Sequence, residues 1–104
     1  MSERSEAKRD GARLQKNSGR GQIQKGDSVM GDFVVDYKEY NESISVSKKM
    51  WAKICTDTFK VSRDKHPVLK LILGDKYPVR IAVLEWDTFM EMKEAWEWKK
   101  AHSN

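Results

Sequence analysis

The stretch Phe33-Val-Val-Asp-Tyr-Lys-Glu39 decides the fold. An apolar run with two β-branched valines, followed by tyrosine, predicts a strand. Its leading part is apolar on both faces, as in a strand inside a sheet. Side chains alternate along a strand, so Asp36 and Lys38 point to one face where the apolar run ends. A carboxylate there offers oxygen to a hard divalent cation. A lysine beside it can orient water or stabilise developing phosphate charge. Alone, D-x-K is a common tripeptide and reads as an ordinary surface pair.

Upstream, Ser2 to Asp10 predicts a short helix, capped by Ser2 and stopped by Gly11. Gly11 to Gly26 reads as a loop, and Val29-Met30 as a brief strand turning at Gly31-Asp32. Downstream, Ile44-Ser-Val46 extends the path and Ser47 caps a helix to about Arg63. In that helix Met50/Trp51, Ile54/Cys55 and Thr58/Phe59 recur at helical spacing, which predicts a core-facing stripe. Pro67 to Leu73 and Val79 to Trp86 read as strands, and Asp87 or Thr88 caps a last helix running through Phe89, Met92, Trp96 and Lys100. Trp96 and Trp98 are two apart on that helix and cannot share one face, so one is expected on the core and the other exposed or at a subunit contact. The expected order is α-β-β-α-β-β-α, an α/β domain with one mixed sheet flanked by helices over residues 1–104.

The chain has 104 residues, 38% hydrophobic and 35% charged, which suits one globular domain. The longest aliphatic run, Ile81 to Leu84, is far too short for a membrane span. Met1 to Asp10 hold no apolar segment, so no secretory signal is expected. Cys55 is the single cysteine, which excludes an internal disulfide and a cysteine zinc cluster, and the expected compartment is the cytoplasm. The net charge is +4. Residues 1–26 carry seven Lys/Arg against three acids, whereas residues 27–104 balance thirteen against thirteen. The whole excess sits in the first quarter, a basic helix and loop that would draw a polyanion through phosphate contacts.

Several short motifs follow in order: Ser18-Gly-Arg-Gly21, Lys25-Gly-Asp27, Phe33-Val-Val-Asp-Tyr-Lys38 and Ser43-Ile-Ser-Val-Ser-Lys-Lys-Met-Trp51. This series resembles the Holliday-junction resolvase-like branch of the PD-(D/E)xK nuclease superfamily, particularly its short phage-type members. The resemblance covers about Ser2 to Phe89 and implies a restriction-endonuclease-like core. It implies that Asp27 and Asp36 bind Mg²⁺ (or Mn²⁺), that Lys38 is the catalytic lysine, and that Glu3 or Glu6 is the helix carboxylate. Glu3 has the better spacing to the motifs that follow it. Ser18, Gly19, Arg20 and Lys25 match the part that would hold the DNA backbone. Lys48 and Lys49, cations at a helix start where the dipole disfavours them, suit an external phosphate.

The resemblance further implies a homodimer acting on four-way junctions, in the host cytoplasm if phage-encoded. The expected activity is metal-dependent phosphodiester hydrolysis of branched DNA. The alternatives are a nuclease acting on flaps, nicks or linear duplex, and a non-catalytic nucleic-acid-binding module of the same fold.

Overall fold

A computed structural model of the chain describes residues 3–11, 13–16 and 23–103. The elements run α1 (Glu3–Arg9), β1 (Arg13–Lys16), β2 (Ile23–Met30), β3 (Phe33–Tyr40), α2 (Lys48–Val61), β4 (His66–Leu73), β5 (Val79–Val83) and α3 (Trp86–His102). The fold is α/β, with one mixed sheet in the order β1-β2-β3-β4-β5. β3 and β4 pair in parallel, and the other neighbours are antiparallel. A parallel pair needs a long crossover, which α2 supplies.

Three strands precede α2 where two were expected, because β1 and the first half of β2 occupy residues read from sequence as a loop. Their polar segments, Arg-Leu-Gln-Lys and Ile-Gln-Lys-Gly-Asp-Ser, show no clean alternation. Pairing with β3 makes β2 a strand, and a sheet edge tolerates a polar β1. Gly31 opens the hairpin between Met30 and Phe33 with φ +59°. A two-residue hairpin turn needs positive φ at that position. Residues 44–46, expected to continue the extended path, belong to no strand. β5 ends at Val83, and α3 begins at Trp86 after Glu85, with Asp87 in its first turn.

Ser47 caps α2 as its sequence predicts, its hydroxyl oxygen accepting a hydrogen bond from Met50 N–H at 3.1 Å. The helix buries Ile54 and Thr58. Phe59, expected on the core stripe, is 58% exposed, while Trp51 and Met50 pack around Ile54. The inward face is therefore turned toward Ile54-Thr58 spacing, and the Thr58 hydroxyl is satisfied by donating to the Ile54 carbonyl at 2.9 Å.

The sheet has two buried faces. On one, Leu69 and Leu71 pack against Ile54 of α2. On the other, Val35, Tyr37, Val68 and Ile72 form a cluster, and α1 lies against this face through a buried polar network. Glu6, only 2% exposed, receives Arg80 Nε at 2.9 Å and Nη2 at 3.2 Å, with Lys70 Nζ at 3.0 Å. Lys70 also reaches Asp10 Oδ2 at 2.7 Å, and the Tyr37 hydroxyl donates to the same oxygen at 3.1 Å. These contacts tie a seven-residue helix, too short to be stable alone, to β3, β4 and β5.

α3 touches the body only at its start. Thr88 is its one buried residue, and every residue from Glu91 to Ser103 is exposed. The expectation that Trp96 or Trp98 packs on the core is thereby corrected: they are 67% and 64% exposed. No helix among the described residues is long and apolar enough to cross a membrane.

The Arg80 fork, with Lys70, holds the Glu6 carboxyl down at about 2, against an ordinary 4.5. A depressed carboxyl stabilises the fold above its unfolded pKa, and the gain is lost as pH falls through the folded one. Stability should therefore fall between pH 4.5 and about 2. At neutral pH Glu6→Gln should cost about 3 kcal/mol, since removing one partner of a buried pair leaves the others uncompensated. Urea unfolding of both proteins across that pH range checks this: the difference between them should shrink on acidification.

Candidate functional site

The alternation of β3 sends Tyr37 to the α1 face and Asp36 and Lys38 to the α2 face. The carboxylate sits where the strand is still buried, 9% exposed, and the lysine one pleat further out. Lys38 Nζ stands 3.5 Å from Asp36 Oδ2. Asp36 Oδ1 is buried and has no hydrogen-bond partner among the described residues. Burial pushes the Asp36 carboxyl above its ordinary range, and the nearby Lys38 and then Lys53 only partly offset this.

Around Asp36 opens a cleft of about 600 Å³. Ser47, Lys49, Met50, Lys53 and Ile54 of the α2 start form one wall, and Lys38 and Tyr40 form the other. Lys53 pairs with Asp57 at 3.0 Å. The first turn of α2 holds no acidic residue, so the Ser47-capped N-terminus, with its positive dipole end, adds to the lysines. A cationic rim thus surrounds a buried carboxylate. A further cavity, about 320 Å³ on the α1 face, is lined in part by Asp10, Lys70 and Arg80. Its charged groups are engaged with one another and with Glu6, which makes it an anchor for α1.

Of the residues named from sequence, Asp36, Lys38 and Lys49 come together at this cleft. Lys48 opens α2 beside them. Asp27 is placed by its strand position: it is the cross-strand partner of Asp36. Lys25 lies on the same strand, β2. Glu6 is not brought to Asp36. It is held on the opposite face of the sheet by Arg80 and Lys70. Glu3 is the first residue of α1. Ser18, Gly19 and Arg20 lie outside the described residues. Among the described residues no group of three or more His, Cys, Asp or Glu is close enough to hold a metal ion.

Lys53 was missed in the sequence, although its place one turn after Lys49 could have revealed it. Burial, and then the Glu85 charge, push the Cys55 thiol up, away from the reactive thiolate. Comparison of the chain with family models, curated proteins and solved structures found no match.

A carboxylate raised by burial works against the fold at neutral pH. Its stabilising contribution is present below the ordinary carboxylate range and is lost as pH rises. Asp36→Asn should therefore raise the thermal midpoint at pH 7, by roughly 4–8 °C for each kcal/mol gained in a domain of this size. Differential scanning calorimetry at pH 7 and pH 4 checks the sign. The gain should narrow at the lower pH.

Proposed function

We propose that this chain is a divalent-metal-dependent DNA endonuclease with a restriction-endonuclease-like core, acting on Holliday junctions or other branched DNA. The observation that carries this reading is Asp36: a buried, raised carboxylate with one oxygen unpartnered among the described residues, set in a lysine-rimmed cleft. A protein that spends stability on such a group commonly does so at a functional site.

The residues fit a hard cation in kind. Among the described residues Asp36 offers a buried carboxylate oxygen with no hydrogen-bond partner, and Asp27, its cross-strand pair in β2, would be the second oxygen donor. A bound Mg²⁺ or Mn²⁺ would supply Lewis-acid stabilisation of charge at phosphorus. Lys38 holds the proton-rich end of the site: its ammonium neutralises a non-bridging phosphate oxygen and orients the attacking water. Lys48, Lys49 and Lys53, with the α2 N-terminus, hold the phosphate backbone. Arg20 and Lys25, with Ser18 and Gly19, would extend that contact along the strand.

A second reading is a non-catalytic nucleic-acid-binding module. The observation favouring it is Glu6, whose commitment to Arg80 on the far face leaves Glu3 as the one remaining candidate for a helix carboxylate.

Cleavage of a labelled four-way junction, beside linear duplex of the same sequence, separates the readings. In Mg²⁺ the expected result is paired cuts across the junction, reduced at least about 100-fold in Asp36→Ala and Lys38→Ala, as for removal of one group stabilising the transition state. Equal cutting of linear duplex would remove the branched-DNA preference. Salt-sensitive binding in EDTA without cutting in either metal would favour the binding module. Independently, Mn²⁺ at about 100 times its dissociation constant should stabilise the wild type by about 2.7 kcal/mol. Asp36→Asn should lose most of that gain in a thermal melt.

A further inference from the structure

We propose that α3 is a self-association helix, by which two copies of this chain pair antiparallel about Met92. This inference rests on α3 alone and stands apart from the cleft chemistry.

Apolar side chains are exposed along α3 well beyond what scattered surface residues explain. Trp86 is 70% exposed, Phe89 43%, Met92 46% and Trp96 67%. Phe89, Met92 and Trp96 recur at three-to-four spacing and form a stripe. Trp98 lies off that stripe and already stacks on His102, with ring centroids 4.2 Å apart. At about 150–250 Å² for each aromatic, the stripe with Trp86 offers several hundred Å² of apolar surface. A stable interface needs about 800 Å² per partner, so this stripe would form most of a small one.

Charge selects the occupant. From Glu85 to Glu94 the helix carries four acids against one lysine; from Ala95 to Ser103 it carries two lysines against one acid. Because acids outnumber bases over the whole helix, it would repel a nucleic acid or an anionic membrane. A second α3 laid antiparallel sets each acidic half against a basic half and also opposes the two helix dipoles favourably. With Met92 near the centre, Phe89 faces Trp96 of the second copy and Glu85 faces its Lys100. Trp86 falls beside Lys99 of that copy, within reach of a cation–π contact. The pairing is isologous and closes at two copies.

Sedimentation velocity on the full chain at tens of micromolar tests this. The expected species is a dimer. Phe89→Ala/Trp96→Ala should convert it to monomer with an unchanged far-ultraviolet dichroism spectrum, because both side chains are exposed and neither belongs to the buried clusters of the core. Glu85→Lys and Lys100→Glu should each weaken association about tenfold, and the double variant should recover it. A wild-type monomer at these concentrations, or a dimer indifferent to Phe89→Ala/Trp96→Ala, overturns the proposal. So does a monomer that binds anionic vesicles or DNA through these aromatics. Failure of the double variant to recover overturns the antiparallel register.

Discussion

Strand β3 is hydrogen-bonded on both sides, antiparallel to β2 and parallel to β4, so its pleat has two covered faces and no freedom of register. A slip of one residue would exchange the faces. It would carry Tyr37 into the lysine-rimmed cleft and Asp36 into the network that holds α1. Every other placement follows from this strand. The parallel partner demands α2 as a crossover, and α2 supplies the wall of the cleft. The odd-numbered side chains of β3 give α1 its docking surface.

The two faces use buried carboxylates in opposite ways. Glu6 is bound by a two-pronged guanidinium and an ammonium, which lower its carboxyl and turn burial into attachment. Among the described residues Asp36 has Lys38 at 3.5 Å and one oxygen without a hydrogen-bond partner, so desolvation prevails and its carboxyl rises. The desolvation cost is similar in kind at both sites, and what differs is the number of hydrogen bonds that offset it. This difference separates the structural carboxylate from the candidate functional one. It does so more sharply than the presence of either in a motif.

Among the described residues α3 stands apart from the sheet, packed only at its first turn. A helix exposed along most of its length gains little from tertiary burial and depends on its own hydrogen bonds and side-chain pairs. Lys93 and Glu97, 2.7 Å apart, are one such pair, and Lys100 over the Trp96 ring is another. These contribute little each. The apolar stripe would be better stabilised by a second surface.

The β3, α2 and β4 segments were legible in the sequence because their signals are local. Valine-rich runs, a serine cap and helical spacing act within a few residues. The shared face of Asp36 and Lys38 was legible for the same reason, since strand periodicity settles it. β1 and the first half of β2 were not legible, because polar strands are held by pairing with β3 and carry no pattern of their own. The side of the sheet on which Glu6 lies was likewise hidden. Helical spacing places it on a face of α1, but Arg80 and Lys70, more than sixty residues away in the chain, decide what that face meets. The sequence by itself determined the β3, α2 and β4 segments and the D-x-K pair. Only the tertiary structure decided which carboxylate is neutralised and which is left at the cleft, because that depends on charges brought together by the sheet.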